Sequence, residues 1–203
     1  MKVLPFRAPD EVTAAVRPVA EVVATGGVVL IPSESFYGLA ADPRSAAARK
    51  RVDALKGRPS ELGLPVLCAD WQQLESLVVV PERFRVKLSR VWPAALTVVL
   101  PAKLELAAAR GATLAVRIPA HRELRALLYR VGPLTGTSAN RHGASPCTTA
   151  DDALRSLAGM PELALDQGPT AGGLASTLVD LTGAEVRILR AGPVPWEDPC
   201  PEC

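Results

Sequence analysis

The chain has 203 residues, 48% of them hydrophobic, which supplies one sizeable core but is short for two ordinary domains. Its 23 basic and 21 acidic side chains leave a net charge of +2, too near balance for a nucleic-acid coat. No apolar run approaches the ~18–20 residues of a membrane span. The elements follow in order. A first helix is predicted from an Asp10 cap to Thr25, ended by Gly26-Gly27, with Pro18 as a local conflict. Val28 to Ile31 is a continuous apolar run that suits a buried strand. Ser45 starts a second helix through Leu55, ended by Gly57 and Pro59. Leu64 to Cys68 reads as a strand, Asp70 caps a short helix, and Pro81 to Val91 is helical. Leu96 to Leu100 and Thr113 to Ile118 are strands, and His121 to Val131 is a helix stopped by Gly132-Pro133. A helix from Thr149 or Ala150 to Ala158 precedes strands at Leu163 to Leu165, Ser176 to Leu181 and Val186 to Leu189. Strands and helices alternate without strict βαβ regularity, so the expected class is α/β, a mixed sheet flanked by helices. Residues 1–192 form the expected single domain and 193–203 a loose tail.

Met1 to Asp10 lacks the apolar run of a secretory signal, so reducing cytoplasm is the expected compartment and the four cysteines are expected to be free thiols. Cys200 and Cys203 have C-x-x-C spacing but no second pair to complete a zinc site. No metal-ligand pattern surrounds His121 or His142, and neither a P-loop nor a G-x-G-x-x-G turn is present.

Four segments place polar residues where a plain core would exclude them. Pro32 to Leu39, with Ser33, Glu34 and Ser35, follows a buried strand, where α/β proteins hold ligands; a turn with a helix cap explains the same letters. Lys56 and Arg58 flank Gly57 at a helix end and can converge on one phosphate chain, or simply complement the helix dipole. In Thr113 to Pro119, strand period two puts Leu114, Val116 and Ile118 on one face and Thr113, Ala115 and Arg117 on the other. A half-buried Arg117 beside small Ala115 needs an anion, from a ligand or from a structural ion pair. Thr135 to Asn140 is small and polar, and Ser138 and Asn140 could face one ligand or form an Asx-type turn.

Together these segments resemble the YrdC/TsaC family of threonylcarbamoyl-adenylate synthases, from about Val19 to Gly192. The resemblance is carried by PSESFYGLA, LKGRP, WPAALT, LAVRIP, TSAN, STLVDL and ILRAG, in that order. It implies a strongly twisted sheet around a large, positively charged cavity. By position it implies that Ser33, Tyr37, Arg117, Ser138 and Ser176 bind L-threonine, with Arg117 on the carboxylate. Lys56, Arg58, Thr113, Asn140, Thr148 and Arg190 would surround ATP, with Lys56 and Arg58 facing its phosphates as the catalytic pair. The family's Thr-Asp/Glu-Thr block is Ser33-Glu34-Ser35 here, and its Trp-Pro-Gly-Pro is Trp92-Pro93-Ala94-Ala95. At this length, the extra C-terminal domain of longer members is not expected.

The implied reaction joins L-threonine, bicarbonate and ATP into threonylcarbamoyl-adenylate and pyrophosphate, for hand-off to proteins that modify tRNA. Mg²⁺ would arrive with ATP, held by phosphates and water. Two other readings follow from the same resemblance. One is a YrdC-like module that grips RNA without making the adenylate, which the near-neutral charge disfavours. The other is the carbamoyl-transfer module of hydrogenase maturation proteins, which needs fused domains.

Overall fold

The computed structural model describes residues 1–59 and 62–197. Its elements are β1 (Lys2–Pro5), α1 (Pro9–Ala24), β2 (Val29–Pro32), β3 (Tyr37–Ala40), α2 (Ala46–Lys56), β4 (Val66–Leu67), α3 (Trp71–Leu77), α4 (Glu82–Val91), β5 (Leu96–Pro101), β6 (Thr113–Arg117), α5 (Arg122–Val131), β7 (Leu134–Thr135), β8 (Thr137–Ser138), α6 (Ala150–Ser156), β9 (Leu163–Asp166), β10 (Thr177–Asp180) and β11 (Arg187–Arg190).

The α/β class stands, but the strands divide into two mixed sheets where one was expected. The first has the order β1-β9-β2-β3-β8, the second β11-β10-β5-β6-β4-β7. The chain passes between them at Gly136, which joins β7 to β8. A side chain there would collide with Leu67, whose Cγ lies 2.4 Å from the position a Cβ would take. Only glycine lets the two sheets approach this closely.

Local signals fix the helix ends. Ser45 Oγ accepts the Ala48 N–H at 3.1 Å, and Gly57 closes α2 with φ 60°. Asp70, His121 and Thr149 likewise cap α3, α5 and α6 through side-chain acceptors. The start of α1 differs from expectation: Asp10 lies inside the first turn, and Glu11 reaches back to accept the Ala8 N–H at 3.0 Å. Pro18 sits within α1 without dividing it.

β2 explains its unbroken apolar run. Leu30 and Val28 enter one core cluster with β5, β6, α2 and α4 residues, while Val29 and Ile31 enter another with α1 and α5. A strand buried on both faces has no polar alternation. Cys68 lies in the first cluster, where burial pushes its thiol up to about 12; it and Cys147 are free.

The start of the expected loose tail is packed. Thr177 Oγ1 donates to Val194 O at 2.6 Å, and Trp196 is buried edge-on to Phe84 with the Lys87 ammonium 4.0 Å from its ring centre. Pro193 to Glu197 therefore belong to the fold; Cys200 and Cys203 lie outside the described residues. Among the described residues no helix is long and apolar enough to cross a membrane.

Candidate active site

A cavity of about 200 Å³ opens between the two sheets. The first sheet supplies Tyr37 and Ser138 to its wall, with Ser33 just after β2, and the second supplies Thr97, Arg117 and Arg190, with Ser176 just before β10. Hydroxyls and two guanidiniums thus share one concave space, and no carboxylate lines it among the described residues.

β6 positions Arg117 as strand geometry requires. Leu114, Val116 and Ile118 are buried in the core, and Arg117 turns to the cavity face. Its Nε donates to Ala94 O at 3.1 Å, beside the cis Trp92–Pro93 bond, and its Nη2 donates to Glu34 Oε1. The expected ion pair and the expected cavity position hold for the same residue. Opposite it, Arg190 donates through Nε to Ser176 O at 2.9 Å and through Nη2 to Ser176 Oγ at 3.1 Å, and Ser176 Oγ shares a 2.9 Å hydrogen bond with Thr97 Oγ1. Burial, and then the like charge of Arg117, hold the Arg190 pKa below the ordinary arginine value. Two partly desolvated cations at one cavity make an anion the favoured occupant.

The Sua5_yciO_yrdC family model, described as telomere recombination, matches residues 21–192. The chain belongs to this family. It is 38% identical over 172 residues to the threonylcarbamoyl-AMP synthase of Thiobacillus denitrificans, covering 82% of this chain and 89% of that protein. It is 36% identical over 176 residues to the threonylcarbamoyl-AMP synthase of Bacillus subtilis, covering 84% of this chain but 51% of that longer protein. The crystal structure of Pyrococcus abyssi Sua5 complexed with L-threonine superposes with a TM-score of 0.87 at 32% identity, over 96% of this chain and 58% of that one.

Within this Sua5/YciO/YrdC fold the sequence-predicted residues separate into two groups. Ser33, Tyr37, Arg117, Ser138, Ser176 and Arg190 line the cavity; Lys56, Arg58, Thr113, Asn140 and Thr148 do not. Lys56 is buried behind the wall, where its Nζ donates to Ser138 O and, at 2.9 Å, to Asn140 O. Burial, assisted by Arg58 and opposed by Cys147, lowers its pKa to about 8. Arg58 donates through Nε to Asp53 Oδ1 at 2.6 Å, and the same carboxylate accepts Arg49 Nε at 3.1 Å. The two cations flanking Gly57 therefore diverge onto separate internal partners, where spacing alone had suggested convergence. Thr113 shares a strand face with Arg117 but stands four residues away, about 13 Å along a strand. Its Oγ1 donates to Arg110 O at 2.9 Å. Thr148 O accepts the Thr170 N–H at 2.8 Å, tying down the loop before β10. Asn140 Nδ2 donates to Arg141 O and Ala144 O, while its buried Oδ1 has no hydrogen-bond partner among the described residues.

Two lining residues are committed to internal bonds. Tyr37 Oη donates to Asp166 Oδ1 (2.9 Å) or Gly168 O (2.7 Å) and accepts the Gln167 N–H at 3.1 Å, with burial first among the causes raising its pKa. Its ring is fully buried, so it meets the cavity as part of the wall. Ser33 Oγ donates to Phe36 O at 2.7 Å and closes the loop between β2 and β3. Thr97 was not singled out from sequence, and Glu34 was named only within its polar segment, without its partner. Thr97 lies opposite the core-facing Leu96 and Val98, and the period-two reading applied to Arg117 would have found it. Glu34 as the partner of Arg117 has no local signal, because 83 residues separate them.

Proposed function

We propose that this protein is an L-threonylcarbamoyladenylate synthase, making threonylcarbamoyl-AMP from L-threonine, bicarbonate and ATP. The observation that carries the reading is the pair Arg117 and Arg190 at one hydroxyl-lined cavity, in a chain that superposes on a relative complexed with L-threonine. The relatives' printed activity supports the same choice.

In this reading the threonine ammonium first gives its proton to solvent, the free amine adds to the carbon of bicarbonate, water leaves, and a carbamate forms. A carbamate oxygen then attacks the α-phosphate of ATP, the bond to the β-phosphate bridging oxygen breaks, and pyrophosphate departs. Arg117 holds the threonine carboxylate, Ser138 and Ser176 offer hydroxyls beside it, and Arg190 faces the second negative charge. Rate enhancement comes from positioning and charge stabilisation more than from acid–base transfer. ATP would lie along the Ser138–Asn140 turn, where the buried, unpartnered Asn140 Oδ1 would accept from a donor on the nucleotide once the turn shifts to uncover it. Lys56 and Arg58 reach its phosphates by exchanging their present carbonyl and carboxylate partners.

Among the described residues no group of three His, Cys, Asp or Glu side chains could hold a metal ion. The serine and arginine donors of the cavity do not suit a resident cation, so Mg²⁺ belongs with the ATP phosphates. The cytoplasm, with tRNA-modifying proteins receiving the adenylate, completes the proposal.

Pyrophosphate release measured with each substrate omitted in turn tests it. Release that needs L-threonine, bicarbonate and ATP together is expected. Release indifferent to threonine, or better supported by L-serine, would overturn it.

A further inference from the structure

Glu34 stands at the tip of the four-residue loop between β2 and β3. Ser33 Oγ, besides donating to Phe36 O, accepts the Phe36 N–H at 3.3 Å. Ser35 O accepts Thr170 Oγ1 at 2.7 Å and the Gly172 N–H at 2.9 Å from the opposite side. The tip is therefore held on both flanks, and it presents Glu34 across the gap between the sheets. Glu34 Oε1 accepts Arg117 Nη2 and the Ala120 N–H, the latter at 3.2 Å. Both side chains are largely withdrawn from solvent, at 11% and 21% exposure for Arg117 and Glu34. Arg117 Nη1 carries no hydrogen bond among the described residues, and Glu34 Oε2 is buried without one.

Glu34 does not itself line the cavity, but Arg117, which does, has this anion fixed directly beside it. A simple carboxylate arriving at Arg117 meets the repulsion of Glu34. An amino acid arriving there carries its own ammonium beside its carboxylate, and the ammonium offsets that repulsion. We propose that Glu34 is a specificity-determining residue, which makes the Arg117 subsite select zwitterionic amino acids over simple organic anions. The inference rests on the threonine reading of the cavity. Glu34 works through its charge and its hold on Arg117, and transfers no proton.

The experiment compares two ligands by calorimetry: L-threonine and 3-hydroxybutyrate, the same skeleton without the ammonium. The unaltered protein should prefer threonine by at least about tenfold, the discrimination that one charge-assisted contact supplies. In Glu34→Gln, threonine should weaken and 3-hydroxybutyrate hold or tighten, so the ratio of dissociation constants collapses by about tenfold. Glu34→Asp, which keeps the charge, should keep most of the ratio. A purely structural role would weaken both ligands together and leave the ratio unchanged within about twofold in Glu34→Gln, which overturns the proposal. No preference in the unaltered protein overturns it without any variant, and this arm decides if Glu34→Gln does not fold. Pyrophosphate release from the three substrates with no ligand preference would remove Glu34 and leave the synthase standing. Preference for threonine without pyrophosphate release would do the reverse.

Discussion

Lys56 Nζ lies 2.9 Å from the carbonyl oxygen of Asn140 and also donates to that of Ser138, so the last residue of α2 clasps the turn that follows β8. A lysine at a helix terminus is ordinarily free to project into water, and substitution there is structurally mild. Here the side chain is buried and its loss strands carbonyls that were built around a donor. Lys56→Ala is expected to lower stability by about 2–3 kcal/mol, within the range for a buried polar group left without its partner. Urea unfolding gives the number. A change below about 0.5 kcal/mol, the usual size for a surface site, would show that the clasp is dispensable.

The same burial gives stability a pH signature. The Lys56 pKa is lowered from the usual 10.5 to about 8, mainly because the ammonium is desolvated. Between pH 8 and 10.5 the unfolded chain binds a proton at this position that the folded chain has released. Stability therefore rises with pH across that window, by up to about 1.4 kcal/mol per unit. Below pH 8 both states are protonated and the slope vanishes. Unfolding free energies of the unaltered protein and Lys56→Met, measured from pH 7 to 10, should diverge above pH 8 in favour of the unaltered protein. Parallel profiles would mean that Lys56 keeps an ordinary pKa.

What the sequence disclosed was what its neighbours in the chain determine. The boundaries of α2 could be read because Ser45 and Gly57 act on the adjacent turn of helix. The face of Arg117 could be read because strand alternation is local. β1 could not, since Lys2 to Pro5 are mostly exposed, lack alternation, and become a strand by pairing with Leu163 to Asp166. β3 was hidden because Gly38 interrupts its apolar run and the polar loop before it reads as a turn. At the site, the family resemblance named Arg117, Ser138 and Ser176 together, and all three line the cavity. The fate of Lys56 and Arg58 depended on what α2 turns inward: Asp53 lies on the same helix, and its carboxylate takes Arg58 while Lys56 turns to the Ser138–Asn140 carbonyls.

Asp53 consequently carries more weight than either arginine it binds. Its carboxylate joins Arg49 and Arg58, with Nε distances of 3.1 and 2.6 Å, at 7% exposure. Arg49 and Arg58 also donate to Leu62 O, so the cluster fastens α2 to the segment beyond Pro59. Removing the carboxylate leaves two buried cations facing each other, whereas removing one arginine leaves a pair intact. Asp53→Ala should cost about 3–5 kcal/mol and Arg58→Ala distinctly less. Thermal melting of both variants, with the double variant to measure coupling, checks the order. Equal losses would mean that Arg49 and Arg58 do not share the carboxylate in any energetic sense.

Arg117 offers the sharpest test, because two of its three guanidinium nitrogens are fixed by internal partners. The guanidinium spends Nε on Ala94 O and Nη2 on Glu34, and keeps Nη1 for the cavity. Lysine in its place retains one charge but has a single nitrogen, which cannot reach a carbonyl, a carboxylate and a ligand in three fixed directions. The ion pair with Glu34 is the nearest and strongest of these interactions, so the ammonium should settle there and withdraw from the cavity. Arg117→Lys is therefore expected to fold and to raise the threonine requirement, by about 10- to 100-fold for a lost charge-assisted bond of about 1.5–3 kcal/mol. The ATP requirement should move much less, since Arg190 and the Ser138–Asn140 turn are untouched. If Arg117 served only to join the sheets through Glu34, the variant would lose melting temperature and both substrates would weaken in proportion to the unfolded fraction. Threonine and ATP titrations alongside thermal melting separate the two outcomes. A folded Arg117→Lys protein with unaltered threonine affinity would remove the carboxylate role.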